Sequence, residues 1–197
     1  METIFGNTLQ KAMRTASMEK DTEAARTWLR NKASTLRRDP LTLIHNNSSR
    51  TASLGSIGQM FLFSYDPKYK EELPYYDKFP LVFPIQGMNN GVLGINMHYL
   101  PLLYRAKLMD ALYDTVTNDK LDGSTRLNIS YEILNKASKF RYFKPCVKHY
   151  LNNHINSRVI YIDPREWDVA LFLPLQRFQK ASTGSVYRDS RNKIAKG

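Results

Sequence analysis

The chain has 197 residues, of which 42% are hydrophobic and 12% aromatic, and its formal net charge is +11. This composition supports one core without covalent staples, and the single cysteine, Cys146, excludes an internal disulfide framework and a cysteine metal cluster. No apolar run approaches the ~18 residues of a membrane span, and no basic and then apolar N-terminal stretch marks a signal peptide, so neither a membrane partner nor export is expected.

Residues 1–56 are predicted to form a helical arm followed by a linker. Asp21–Arg38 has the N-cap and the thin apolar stripe of a helix that Asp39-Pro40 would end, and a weaker helix is expected near Leu9–Met18. The stretch His45–Ser56 is polar and rich in small residues, which favours a linker. Such an arm either docks on a neighbouring subunit and orders there, or folds back onto its own domain.

Three short apolar and aromatic runs, each bounded by turn-forming residues, predict consecutive antiparallel strands at Met60–Tyr65, Phe79–Ile85 and Val92–Leu100. Asn89-Asn90-Gly91 lies between the second and third runs and favours a hairpin turn, because Asn and Gly tolerate positive φ. The predicted fold class is therefore α+β, with a small antiparallel meander or an SH3-like β-barrel.

The C-terminal half is predicted to be mainly helical, with one further strand and a basic end. Apolar spacing predicts helices at Leu102–Thr117, Ser130–Lys139 and Pro145–Asn156, a strand at Ser157–Ile162, and a helix that starts at Asp163-Pro164. Residues 57–180 would form the core domain and residues 181–197 a basic tail. Neither this tail nor the N-terminal arm offers enough apolar surface to order alone, so both are expected to order on a partner.

Basic residues concentrate in the C-terminal third of the chain. Residues 1–56 carry nine basic and five acidic side chains, residues 57–135 seven and nine, and residues 136–197 thirteen and four. No acidic residue lies between Glu132 and Asp163, and such a stretch suits duplex DNA or the acidic face of a partner protein. The candidate binding residues in and beside this stretch are Lys136, Lys139, Arg141, Lys144, Lys148 and Arg158.

Bulky side chains elsewhere are candidates for contacts with neighbouring proteins. Tyr75 and Tyr76 are adjacent in a charged loop, where they can cover the open end of a barrel or form an interface hot spot. The predicted arm and tail add further candidates. The full set of candidate interface residues is Trp28, Tyr75, Tyr76, Tyr187, Arg188 and Arg191.

Motifs that would indicate catalysis or a cofactor are missing from the sequence. His149 and His154 are five residues apart and do not share a helix face as a zinc pair would, and glycine-rich phosphate-binding motifs are absent. The carboxylates between Asp66 and Asp77 are interleaved with lysines, which favours an exposed charged loop over a nuclease metal site. We therefore expect a non-enzymatic protein with no metal, no cofactor and no small-molecule substrate.

Several segments resemble a family of proteins encoded by contractile-tailed bacteriophages of the T-even type. The longest are D-P-K-Y-K-E-E-L-P-Y-Y-D-K-F-P-L-V-F-P-I (Asp66–Ile85) and G-V-L-G-I-N-M-H-Y-L-P (Gly91–Pro101), followed by Arg105, Met109 and Leu112. Shorter ones are F-K-P-C-V-K-H-Y-L (Phe143–Leu151), E-W-D-V-A-L-F-L-P (Glu166–Pro174) and V-Y-R-D-S-R (Val186–Arg191). The resemblance runs from Gly58 to Arg191 and leaves the N-terminal segment uncovered.

The resemblance implies a virion or assembly protein of the DNA-end-protector type, located in the virion and, during assembly, in the host cytoplasm. It would engage packaged DNA or the head-tail junction, with other virion proteins and duplex DNA as its partners. The alternative is a structural subunit of the phage tail, neck or baseplate that binds its neighbours through its arm and its tail. A phage nuclease is the third interpretation.

Overall fold

The computed structural model describes residue 5, residues 23–116, residue 118, and residues 120–140 and 143–196, and it has an α+β fold. Its helices are α1 (Glu23–Thr35), α2 (Pro40–Asn46), α3 (Leu102–Val116), α4 (Gly123–Lys139), α5 (Trp167–Phe172) and α6 (Thr183–Lys196). Its strands are β1 (Met60–Leu62), β2 (Tyr76–Asp77), β3 (Leu81–Met88), β4 (Gly91–Asn96), β5 (Val147–Leu151), β6 (Ile160–Ile162) and β7 (Phe178–Gln179). No helix in these ranges is long and apolar enough to cross a membrane.

The centre of the fold is a five-stranded sheet in the order β5-β4-β3-β1-β6, in which every neighbouring pair is antiparallel. β3 and β4 form the predicted hairpin around Asn89-Asn90. A Cβ atom on Gly91 would lie 1.9 Å from the carbonyl oxygen of Tyr150, so this position of the hairpin requires glycine. The three predicted strands and their antiparallel pairing are found, but β1 ends at Leu62 rather than Tyr65, and β4 ends at Asn96 rather than Leu100 because the 3₁₀ turn Met97–Tyr99 follows it. The SH3-like barrel is not formed, because the edge strands β5 and β6 do not close the described sheet.

Both faces of the sheet are buried, because successive side chains point alternately into two apolar clusters. Met60 and Leu62 on β1 belong to the main core, which lies under the helices. Phe61 and Phe63 belong to a smaller cluster on the other face, which Leu54 helps to cover. The segment that was expected to be an open linker therefore contributes a buried side chain to the fold.

The boundary of the first helix also differs from the prediction. α1 ends at Thr35, and Asp39-Pro40 begins α2 instead of ending the preceding helix. The Asp39 carboxylate accepts a hydrogen bond from the Thr42 N–H at 2.8 Å, which is the geometry of an N-cap. The weaker helix expected near Leu9–Met18 lies outside the described residues.

α1 is attached to the body by ion pairs. Arg30 is buried, and its guanidinium lies 2.8 Å from Asp168 on α5 and 2.8 Å from Asp110 on α3. Ala33 on the same helix is buried in the main core. Of the two alternatives for residues 1–56, these contacts favour a segment that folds back onto its own domain. The division of the chain into arm, core and tail stays a prediction.

The predicted helix at Pro145–Asn156 is wrong, because the middle of that stretch forms strand β5 and a 3₁₀ turn lies on either side of it. β5 pairs with β4 along its whole length, and Tyr150 packs edge-on against Phe63, with ring centroids 5.4 Å apart. Both β4 and Phe63 lie more than fifty residues earlier in the sequence, so tertiary pairing overrides the local apolar spacing. Cys146, in the 3₁₀ turn before β5, is buried as expected.

The start of α4 and the structure of the C-terminal residues also differ from the prediction. α4 begins at Gly123 rather than near Ser130, because the Asp122 side chain caps its first turn. Residues expected to form a tail form α6, in which Val186, Ser190 and Ile194 are buried at a spacing of four. The Ser190 hydroxyl donates a hydrogen bond to the Tyr99 carbonyl oxygen at 2.8 Å, so α6 lies on the body of the fold.

Candidate nucleic-acid interface

The basic residues predicted to bind DNA do not all lie together. Lys136 and Lys139 are exposed in the last turns of α4, and Lys144 is exposed in the 3₁₀ turn Lys144–Cys146. That turn packs against α4 on one side and α6 on the other. The structure therefore brings these three lysines to one region, beside the basic helix α6, while Arg141 lies outside the described residues.

Lys148 and Arg158 are placed differently from this group. The Lys148 ammonium lies 4.5 Å from the ring centroid of Tyr99, in a cation–π contact, and burial lowers the pKa of Lys148. Arg158 is exposed just before β6, at the sheet edge opposite β5. Three strands lie between these two positions in the sheet. Lys148 and Arg158 are therefore far apart in the fold although they are close in sequence, and they do not form one continuous DNA-binding surface.

The acidic side chains of the C-terminal third are engaged with cations. Glu166 lies 2.6 Å from Arg50, Asp168 2.8 Å from Arg30, Asp163 2.9 Å from Arg165, and Asp189 2.9 Å from Lys193. Glu166 and Asp168 are also buried, so they add little negative potential to the surface. The exposed cations without an ion pair to any described carboxylate include Lys139, Lys144, Arg188, Arg191 and Lys196.

Of the six predicted interface residues, two point into the fold. The Tyr75 hydroxyl donates a hydrogen bond to the Asp189 carboxylate, and its ring lies 6.0 Å from that of Tyr99. The Tyr187 hydroxyl accepts a hydrogen bond from the Arg105 guanidinium at 2.6 Å. Both tyrosines thus hold α6 in place. Tyr76 and Trp28 are half-buried, and Arg188 and Arg191 are exposed on α6.

A buried polar network, missed by the sequence analysis, lies beneath α6. Asp77 accepts hydrogen bonds from the His98 Nδ1–H at 2.6 Å, from the Arg177 N–H at 3.1 Å and from the Asn96 side-chain amide at 3.3 Å. Asn96 also donates to the Tyr150 hydroxyl at 3.0 Å. The sequence signal that could have predicted this network is the pair of polar residues Asn96 and His98, which stand at alternate positions of an otherwise apolar run.

Arg105 joins this network to α6. Its side chain is fully buried and donates hydrogen bonds to the carbonyl oxygens of Leu100 (2.7 Å), Leu171 (2.6 Å) and His98 (3.1 Å), in addition to Tyr187. A buried guanidinium needs such acceptors, since an unpaired charge is costly away from water. Arg105 therefore ties α3, α5 and α6 together behind the basic surface.

Mild acid is expected to destabilise the fold through His98. Burial lowers the pKa of His98 below its ordinary value of 6.5, and the nearby Arg105 acts in the same direction. Below pH 6.5 the unfolded chain gains a proton that the folded chain resists, so the free energy of unfolding falls as the pH drops. One such proton gives a slope of at most about 1.4 kcal/mol per pH unit, measured by urea unfolding between about pH 7 and about pH 5.

His98→Asn keeps a donor for Asp77 and should remove most of this slope. His45→Asn, which changes an exposed histidine on α2, is the matched control and should retain it. An unchanged slope in His98→Asn would assign the acid sensitivity to other groups.

The carboxylates considered for a nuclease site are separated in the structure. Asp66 pairs with Lys70 at 3.0 Å, Glu71 lies 3.5 Å from Lys180, and Asp77 is buried against His98. No group of three or more potential metal ligands is found in the described part of the chain. A groove of about 640 Å³ beside the start of α4 is lined by Arg126, among others.

Comparison with known proteins agrees with the resemblance seen in the sequence and extends it toward both ends. The model of the family described as Phage T4 terminal DNA protecting protein matches residues 3–194. No curated protein and no solved structure gives a significant match. Because the family model covers nearly the whole chain, the protein belongs to the Phage T4 terminal DNA protecting protein family.

Proposed function

We propose that this protein binds the ends of packaged phage DNA and protects them without catalysing a reaction. The observation that supports this most directly is the separation of charge in the C-terminal third. Its four carboxylates are engaged with cations, while Lys139, Lys144 and Arg191 remain exposed without an ion pair to a described carboxylate. Such a surface attracts a polyanion more strongly than the net charge alone indicates.

The proposed DNA-binding surface is formed by the end of α4, the turn Lys144–Cys146 and the outer face of α6. Its cations are Lys136, Lys139, Lys144, Arg188, Arg191 and Lys196. Phosphate contacts of this kind are independent of sequence, which suits a protein that must bind whatever sequence lies at the end of the DNA. Arg141 remains a proposed member, and Lys148 and Arg158 would act as outlying contacts.

The double variant Lys139→Ala/Lys144→Ala is expected to lower the affinity for duplex DNA and also to make that affinity less dependent on salt concentration. Each phosphate contact contributes about −0.9 to the slope of log K against log salt, so losing two should reduce the slope by about 1.8. Fluorescence anisotropy with a labelled linear duplex at several salt concentrations measures both quantities.

Lys32→Ala/Arg37→Ala removes the same charge from exposed positions in and just after α1 and is the matched control. It should leave the salt slope unchanged. Equal effects of the two double variants would mean that net charge, and not this surface, governs binding. No binding by the wild-type protein at low salt would contradict the proposed function and support the alternative of an acidic partner protein.

We also propose that other virion proteins contact the chain at exposed or half-buried positions of α1 and α6, including Trp28, Arg188 and Arg191. Arginine and tryptophan are enriched among interface hot spots. A subunit of the tail, neck or baseplate is therefore the alternative function, and the proposed location is the virion and, during assembly, the host cytoplasm.

A further inference from the structure

Large apolar side chains are exposed at one end of the helical hairpin formed by α3 and α4. Phe140, the C-cap of α4, is 61% exposed, and Leu103 in the first turn of α3 is 65% exposed. Leu102 beside it is 40% exposed. Large exposed apolar groups on neighbouring elements are typical of binding sites. We call Leu102, Leu103 and Phe140 the apolar end patch.

The topology brings the two parts of this patch to the same end. α3 and α4 are consecutive, pack against each other and are joined by a short connection, so the start of α3 lies at the level of the end of α4. The turn Lys144–Cys146 packs against α4 and against the turn Met97–Tyr99, which directly precedes α3. This turn therefore contacts both α4 and the segment that leads into α3.

Lysines flank Phe140, the aromatic member of the apolar end patch. Lys139 directly precedes Phe140, Lys136 lies one turn earlier on α4, and Lys144 follows in the adjoining turn; all three are exposed. Lys136 has only a loose pairing with Glu132, at 3.7 Å. The patch thus combines an open aromatic ring with cations at its rim.

The end of a duplex is the part of DNA that matches this combination. Inside a duplex both faces of every base pair are covered by neighbours, whereas the last base pair exposes one flat apolar face beside its phosphates. An aromatic ring gains stacking energy on such a face without reading the base sequence. Lysines at the rim would meet the phosphates of the last nucleotides.

We propose that Phe140 stacks on the open face of the terminal base pair, with Leu103 beside it, while Lys136, Lys139 and Lys144 contact the adjoining phosphates. This inference rests on the proposed function and adds the means by which an end is distinguished from the interior of the duplex. The basic surface supplies affinity for any DNA, and the apolar end patch supplies the preference for ends.

The test compares a short blunt duplex with a dumbbell of the same sequence whose ends are closed by hairpin loops. The wild-type protein should prefer the open duplex. Phe140→Ala should weaken binding to the open duplex about tenfold, the size of one base–aromatic stacking contact, and leave binding to the dumbbell unchanged. Phe140→Trp, which keeps a larger aromatic face, should preserve the preference.

Tyr69→Ala is the matched control, because Tyr69 is 55% exposed and has the Lys68 ammonium 5.2 Å from its ring, yet lies far from α4 in sequence and beside acidic residues. It should preserve the preference. If Phe140→Ala weakens both DNAs equally, or neither, the stacking proposal is wrong while the proposed function stands. If wild-type protein binds neither DNA, the proposed function itself fails.

Discussion

Replacing Arg105 by methionine is expected to lower the free energy of unfolding by about 3–5 kcal/mol, the range seen when one partner of a buried ionic network is removed. The change takes the donors away from three carbonyl oxygens and from the Tyr187 hydroxyl, all on the inside of the fold. It also removes a buried positive charge that interacts electrostatically with Asp77. Domains of this size have about 5–15 kcal/mol of stability in total, so urea unfolding should show a large fall in the midpoint.

Lys107→Met is the matched control on the same helix, because Lys107 is exposed and its loss should change stability by no more than about 0.5 kcal/mol. Arg105→Lys keeps the charge but cannot reach all four acceptors, so it should fall between the two. A loss below about 1 kcal/mol in Arg105→Met would show that water replaces the guanidinium, and that the network does not hold α6.

Trp167→Ala is expected to cost about 3–5 kcal/mol of stability, as truncation of a buried aromatic side chain usually does. Trp167 is 2% exposed, its ring packs edge-on against Phe83 with centroids 4.8 Å apart, and its indole N–H donates to the Ile162 carbonyl oxygen at 3.0 Å. Ala leaves both a cavity and an unpaired acceptor. Thermal and urea unfolding followed by circular dichroism measure the loss.

Trp167→Phe retains most of the ring contact and loses only the hydrogen bond, so its cost should be markedly smaller. Phe63→Ala tests the smaller cluster on the other sheet face and should be similarly severe, since Phe63 is fully buried. A stable, folded Trp167→Ala protein that fails to enter particles would instead identify Trp167 as an interface anchor.

The parts of the fold that were predicted correctly depend on short-range signals. The hairpin at Asn89-Asn90 and the N-cap at Asp163 are set by residues within a few positions of each other. The Asp163 side chain accepts from the Arg165 N–H as an N-cap should, although it caps the 3₁₀ turn Pro164–Glu166 and α5 begins only at Trp167. The parts that were wrong depend on distant partners. β5 is a strand because β4 is available to pair with it.

The candidate site shows the same division. Sequence alone found the acid-free stretch, and the structure brings Lys136, Lys139 and Lys144 to one region. The sequence did not show that the Lys148 ammonium packs on the ring of Tyr99. Charge counts cannot distinguish a cation that faces solvent from one that lies on an aromatic ring. The ion pairs of Glu166 and Asp168 could not be predicted either, because their partners Arg50 and Arg30 lie more than a hundred residues earlier in the chain.

This arrangement of ion pairs has a consequence for how the protein can vary. The cations that stabilise the interior, Arg30, Arg50 and Arg105, are different residues from those that cover the proposed DNA-binding surface. Replacing Lys139, Lys144 or Arg191 leaves no described carboxylate without its ion pair. Exterior charge and interior pairing are therefore separable traits, so single substitutions can change the charge of the proposed DNA-binding surface without a matching change in the core.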